Sequence, residues 1–119
     1  MMEAGLVLDV YGNPIFEHFP PGRSSGSLPD SRDLWDFIWD NRHQISGFAH
    51  SHPGNGIPYP SDTDITTFKA IEAALGRRLD WWIISSDSII LVKWIDNYVV
   101  SPIQVRPAWF FKLKELSGM

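Results

Sequence analysis

The chain has 119 residues, 44% of them apolar and 20% charged, and its formal net charge is -4. This length supports one core of useful size, so we expect residues 1–119 to form a single domain. The acidic balance disfavours nucleic acid as the main partner, and the absence of cysteine excludes disulfides and thiolate metal sites.

Two strands are predicted near the start of the chain. The apolar runs at residues 6–10 and 15–19 flank a Tyr-Gly-Asn-Pro sequence typical of a turn, so we expect them to pair as a hairpin. Residues 1–10 have no basic region and carry Glu3 early, unlike a signal peptide. No apolar run approaches the roughly 20 residues that span a bilayer. We therefore expect a cytoplasmic location and no membrane partner.

A loop and a helix are predicted next. Residues 20–29 are rich in Pro, Gly and Ser, a composition that predicts a mobile loop. Such a loop either carries function or simply connects two elements. Asp30 or Ser31 can cap the following helix at residues 32–42, whose apolar side chains form one stripe.

The remaining elements alternate between strand and helix. The predicted strands are at residues 45–49, 81–84, 89–94 and 98–105, and the predicted helices are at residues 62–75 and 108–116. Gly76 would end the first of these helices, and Pro102 favours an edge position for the last strand. Strands interleaved with helices predict an α/β fold, a mixed sheet sandwiched by helices.

Two histidines follow the strand at residues 45–49. His50 and His52 are two residues apart, so an extended chain presents both imidazoles on one face. Asp64, at the start of the next helix, can reach back to them. Two neutral imidazoles and a carboxylate, with a fourth position open, form the ligand set of a catalytic zinc. Ser61 and Asp64 are also typical of a helix cap with an acidic first turn.

The sequence His50-Ser51-His52-Pro53, a short loop and Ser61-x-x-Asp64 resembles the JAMM motif of the MPN-plus (JAB domain) zinc metalloproteases. The loop at residues 54–60 is one residue longer than is usual in that family. The resemblance covers roughly residues 3–100 and is to the compact prokaryotic and phage forms. It implies an MPN/JAB, cytidine-deaminase-like fold, which agrees with a mixed sheet sandwiched by helices.

The resemblance also implies a role for each motif residue. His50, His52 and Asp64 would be the ligands of Zn2+, and Ser61 would stabilise the tetrahedral intermediate. The implied reaction is hydrolysis of an amide or isopeptide bond by a metal-activated water.

A glutamate would serve as general base and acid in this family. Glu3 is the favoured candidate, and Glu17 on the second predicted strand is the other. Only one residue separates Glu3 from Gly5, where the family has two. In a regular strand, that shift would turn the carboxylate to the other face.

The implied function is that of a deubiquitinase-like metallo-isopeptidase, acting at the C-terminus of a ubiquitin-like protein or its conjugate. A phage or bacterial cell-wall peptide endopeptidase is the alternative enzyme, and a non-catalytic MPN scaffold is the alternative binding module. Family members usually carry a helix before the first strand. This sequence begins almost at the first predicted strand, so one sheet face would lack the cover that such a helix provides. The tail at residues 108–116 would either cover that face or meet a partner or second copy.

Overall fold

The computed structural model describes residues 1–119 and contains six strands and three helices. The strands are β1 (Gly5–Asp9), β2 (Pro14–His18), β3 (Ile45–Ser51), β4 (Asp80–Ile84), β5 (Ile89–Trp94) and β6 (Tyr98–Pro102), and the helices are α1 (Arg32–Asp40), α2 (Asp62–Leu75) and α3 (Ala108–Ser117).

The strands form one mixed sheet in the order β2-β1-β3-β4-β5-β6. Four neighbouring pairs are antiparallel, and only β3 and β4 are parallel. This follows from the connections, because a parallel pair needs a crossover and α2 supplies the one between β3 and β4. Short turns join β1 to β2, β4 to β5 and β5 to β6, which forces those pairs to be antiparallel.

Alternating side chains divide the core between the two faces of the sheet. Val7 belongs to the cluster beneath α1 and α2, while its neighbours Leu6 and Leu8 belong to the cluster beneath α3. This alternation is the period-two pattern of a strand buried on both faces. Leu34 and Ile38 anchor α1, and burying each such side chain contributes about 1.5–3 kcal/mol.

The predicted fold class, an α/β sandwich of the MPN/JAB or cytidine-deaminase-like kind, is wrong. The structure is strand-rich, with six strands and helices of only 9, 14 and 10 residues, and it does not clearly match an MPN sandwich. The order of elements along the chain led to the error. That order predicts which segments are strands and which are helices, but it does not determine how the strands pair. Here most neighbouring strands are antiparallel and are joined by short turns.

The individual elements lie close to their predicted positions. Helix α2 has the predicted bounds, and Gly76 ends it in the left-handed conformation at φ 70°. Strand β3 runs to Ser51, two residues beyond the prediction, so it includes His50. Strand β6 stops at Pro102 and lies at one edge of the sheet, as that proline favours.

The tail forms α3 and covers the sheet face opposite α1 and α2. Trp109, Phe110 and Leu113 are buried against the cluster that contains Leu6 and Leu8. This agrees with the first of the two hypotheses for the tail, cover of an open face. None of the three helices is both long enough and apolar enough to cross a membrane.

Candidate metal centre

The end of β3 brings two imidazoles together. His50 is on the strand and His52 follows directly after it, held in line by its N–H donating to the carbonyl of Ile84 at 2.8 Å. The two Nε2 atoms lie 3.1 Å apart. The side chains are partly buried, 14% and 25% exposed, so solvent still reaches the pair.

Asp64 in the first turn of α2 completes a triangle with these histidines. Its Oδ1 lies 3.2 Å from Nε2 of His50, and its Oδ2 lies 3.0 Å from Nε2 of His52. Burial alone would raise the pKa of Asp64. Hydrogen bonds from both imidazoles and from the Ser61 N–H outweigh it and hold the pKa far below its usual range. The carboxylate is therefore in the anionic form that a metal ligand requires.

Ser61 is the N-cap of α2 and forms a reciprocal pair with Asp64. Its Oγ accepts from the Asp64 N–H at 3.1 Å, and its own N–H donates to Oδ2 of Asp64 at 2.9 Å. The cap and the metal-ligand interpretations of these two residues are compatible, because one carboxylate makes both sets of contacts. The Ser61 hydroxyl proton is not used in the cap and can be donated to a ligand in the cavity that Ser61 lines.

The triangle fits a zinc ion in chemistry and in size. Ligand atoms 2.0–2.2 Å from a tetrahedral zinc are roughly 3.3–3.6 Å apart. The two nitrogens are 3.1 Å apart, and each lies 3.0–3.2 Å from a different carboxylate oxygen of Asp64. These contacts are hydrogen bonds between the imidazoles and the carboxylate, so binding of an ion would replace the imidazole protons that lie between these atoms.

Glu3 lies on the same face as the histidines. Gly5 is opposite His50 in the antiparallel β1–β3 pair, and side chains two residues apart share a face, so Glu3 is on the side of His52. The carboxylate is within 4.8 Å of the ligand atoms of both histidines. The one-residue shift from the family spacing therefore does not turn Glu3 away. Glu3 is buried, and this raises its pKa; Asp64 adds to the rise, while His50 and His52 oppose it.

Glu17, the other candidate base, lies on the opposite face of the sheet. It pairs with Leu6, whose side chain packs beneath α3, and its carboxylate forms a 2.9 Å ion pair with Lys112 of α3. The sheet itself therefore separates Glu17 from His50 and His52.

A cavity of about 540 Å³ opens beside these groups. Its lining includes Glu3, Asp64 and both histidines, and it continues under the loop at residues 25–28 toward apolar side chains of the core. This loop, whose role the sequence left open, thus forms one wall of the cavity. A cavity of this size with convergent polar groups is typical of a small-molecule or peptide-segment site.

His18 is a cavity residue that the sequence analysis missed. It ends β2, lies opposite Gly5, and its Nε2 is 2.7 Å from the carbonyl of Pro29, which accepts the hydrogen bond. Burial lowers the pKa of His18, although the Pro29 carbonyl and Asp30 oppose this. Only the strand register shows its position, because no motif in the sequence relates it to the histidine pair.

The turn between β4 and β5 holds the loop that follows His52. Ser86 donates to the Gly54 carbonyl through both its N–H and its hydroxyl at 2.8 Å, and the hydroxyl of Ser85 donates to the Gly56 carbonyl at 2.6 Å. The Gly56 N–H in turn donates to Asp87 at 2.9 Å. These bonds hold the loop between His52 and Ser61 against the β4–β5 turn.

Comparison of the chain with known proteins found no matching family model and no matching curated protein. The resemblance to the JAMM motif therefore rests on the motif residues themselves. The fold and the geometry bring together two imidazoles and a carboxylate, 3.0–3.2 Å from one another, with a second buried carboxylate beside an open cavity.

Proposed function

We propose that this chain is a zinc-dependent hydrolase of amide or isopeptide bonds, with a JAMM-type site. The observation that carries the proposal is the triangle of His50, His52 and Asp64. The two Nε2 atoms are 3.1 Å apart, and each lies 3.0–3.2 Å from one oxygen of the Asp64 carboxylate. A second carboxylate, that of Glu3, lies within 4.8 Å of both imidazoles at the wall of the same cavity.

The three residues of the triangle would hold Zn2+, and Glu3 would stay outside the ligand set. Two atoms bound to one zinc at up to 2.2 Å cannot be more than about 4.4 Å apart. The contacts within the triangle meet this limit. Glu3, whose carboxylate lies within 4.8 Å of both histidine ligand atoms, is assigned to the proton transfer because the motif resemblance gives that role to a glutamate. When bound, zinc supplies a Lewis acid that polarises a carbonyl and lowers the pKa of water to about 7.

Glu3 and Ser61 would carry the proton transfer and the charge stabilisation. Glu3 accepts a proton from the attacking water at a carboxylate oxygen and passes it to the leaving amine. The Ser61 hydroxyl donates a hydrogen bond to the oxyanion that forms on the scissile carbonyl. One donor of this kind typically contributes about 3 kcal/mol to the transition state.

The proposed substrate is a ubiquitin-like protein or its conjugate, cleaved at the C-terminus of that protein. This part is supported by the motif resemblance, and by a cavity that leads from the triangle under the loop at residues 25–28. A cytoplasmic location remains a prediction from the sequence.

Zinc content per chain is the primary test. We would measure it by elemental analysis of protein purified without a histidine tag, beside Asp64→Ala and the matched control Asp62→Ala. Asp62 is in the same helical turn, is exposed and does not line the cavity. About one zinc in the wild type and in Asp62→Ala, and none in Asp64→Ala, is the expected result. A wild type that binds no zinc even from added metal would overturn the proposal.

The substrate class is tested separately, with zinc-loaded protein. A ubiquitin-like fusion carrying a C-terminal amide-linked reporter is compared with a lysine isopeptide conjugate and with cell-wall peptides. Cleavage of the first two, abolished by a chelator and restored by zinc, is expected. Cleavage of the wall peptides alone would make the chain an endopeptidase. Zinc binding with no cleavage in any assay would favour a binding module.

A further inference from the structure

The segment before β1 has no secondary structure of its own, yet it places Glu3 in the site. Three successive amides there donate to three different parts of the chain. Met2 N–H bonds to the Ser117 carbonyl at 2.9 Å, Glu3 N–H to the Ser24 carbonyl at 2.7 Å, and Ala4 N–H to the hydroxyl of Ser51 at 2.9 Å. Tertiary contacts, not local propensity, therefore fix this backbone.

Ser51 connects the site to the end of α3 through the sheet. It lies between His50 and His52 on β3, so its side chain points to the opposite face. There its hydroxyl bonds to the hydroxyl of Ser117 in the last turn of α3, and both residues are buried, at 0% and 2% exposed. The same Ser51 hydroxyl accepts the Ala4 N–H, next to Glu3.

Arg23 joins the same segment to α3 from the loop before α1. Its Nη1 donates to the Glu3 carbonyl at 3.2 Å and to the Leu116 carbonyl at 2.9 Å. The last carbonyls of a helix lack partners within the helix and carry partial negative charge, so a guanidinium is stabilised there.

We infer that Arg23, Ser51 and Ser117 form a clamp through which the end of α3 positions the carboxylate of Glu3 beside the triangle of His50, His52 and Asp64. Arg23 and Ser117 lie outside the cavity lining, so they act through Glu3. The catalytic consequence rests on the proposed function, whereas the positioning itself does not. A displacement of about 1 Å in a reacting group can cost 10²-fold in rate, so small shifts of this segment matter.

The test compares Arg23→Ala and Ser117→Ala with the wild type and with two exposed controls, Arg32→Ala and Ser101→Ala. The first readout is the rate of amide hydrogen exchange at residues 2–4, measured by NMR in both the zinc-free and the zinc-loaded protein. In both clamp variants these amides should exchange about tenfold faster or more, while amides in the centre of the sheet keep their protection. Both controls should exchange like the wild type.

Zinc content and steady-state kinetics separate positioning from general stability. The clamp variants should keep full zinc content, because the triangle does not depend on Glu3. Their kcat should fall toward 10²-fold with KM nearly unchanged, because Glu3 acts in the chemical step. Arg23→Lys, which keeps the charge, should recover part of both the protection and the rate.

Each outcome decides the inference. Unchanged exchange at residues 2–4 in both clamp variants would overturn it, and so would global unfolding of both, since the contacts would then serve the whole fold. If one clamp variant fails to fold, the exchange data from the other variant still decide whether the clamp exists. A wild type without zinc would refute the proposed function, while the exchange data would still decide whether the clamp exists.

Discussion

Ser61 and Asp64 cap one another at the start of α2, each accepting the backbone N–H of the other. The oxygen of Asp64 that accepts from Ser61 also lies 3.0 Å from Nε2 of His52. The positive end of the α2 dipole and the cap therefore favour the anionic carboxylate at its position beside the two imidazoles. The start of α2 and the placement of Asp64 beside the histidines depend on the same two side chains.

Ser61→Ala should have two separable effects. Loss of the cap should lower the free energy of unfolding by about 1 kcal/mol. Loss of the oxyanion donor should lower kcat about 10²–10³-fold while zinc remains bound. Denaturant unfolding, zinc analysis and kinetics measure these effects on one preparation. Ser61→Thr keeps the hydroxyl and should recover most of the stability and most of the activity. Full activity in Ser61→Ala would contradict the role assigned to the Ser61 hydroxyl.

Glu3→Gln should keep the zinc and lose the reaction. The amide is close to the carboxylate in shape but cannot accept the proton, and general base catalysis typically contributes about 10²–10⁴-fold. Glu17→Gln, on the opposite face, is the matched control and should leave kcat unchanged. If Glu3→Gln lost zinc as completely as Asp64→Ala, Glu3 would be a ligand and the base would have to be sought elsewhere.

Gly47 allows β3 and β4 to approach closely, because a Cβ at this position would collide with the carbonyl oxygen of Asp80. Gly47→Ala should therefore destabilise the fold by about 1–3 kcal/mol or more. It should also weaken zinc binding, since His50 is three residues along the same strand. Gly26→Ala, where a Cβ meets nothing within 4 Å, is the control and should change neither. Thermal unfolding and zinc titration provide the measurements.

Glu72 in α2 is a buried carboxylate with four donors, and it predicts a pH dependence of stability. It accepts hydrogen bonds from Tyr98 at 2.5 Å, Trp81 at 3.0 Å, the Leu79 N–H at 2.9 Å and Arg78 at 3.0 Å. Burial alone would raise the pKa of Glu72, but these hydrogen bonds, that from Tyr98 foremost, lower it from 4.5. Because the folded-state pKa is the lower one, the stabilisation is complete above pH 4.5 and is lost as the pH falls through the folded value.

Glu72→Gln should thus cost about 1–3 kcal/mol of unfolding free energy near pH 7, since it weakens a buried set of hydrogen bonds. The difference from the wild type should shrink below pH 4.5, as the wild-type carboxyl becomes protonated. Urea denaturation at several pH values measures both. Glu115→Gln, at an exposed position of α3, should show no such convergence. If the difference in unfolding free energy between the wild type and Glu72→Gln stayed constant at every pH, the lowered pKa of Glu72 would be contradicted.

The sequence predicts for a local reason that His50, His52 and Asp64 lie close together. His50 and His52 are two residues apart on one strand, and Asp64 begins the next element, so short-range periodicity brings all three together. Glu3 and His18 are different, because their positions depend on the registers that pair Gly5 with His50 and with His18. Pairing between distant segments is not encoded in local periodicity, and the incorrect fold class has the same origin.

The hydrogen bonds between the β4–β5 turn and residues 54–56 have a consequence for the order in which the molecule loses structure. They are made by Ser85, which is buried, by Ser86, which is partly buried, and by Asp87, which is exposed, and they hold the loop that joins His52 to Asp64. Releasing that loop exposes little of the apolar core, so it requires far less free energy than melting the sheet. Gentle warming or dilute urea should therefore disable the site in a protein whose far-ultraviolet circular dichroism still looks native.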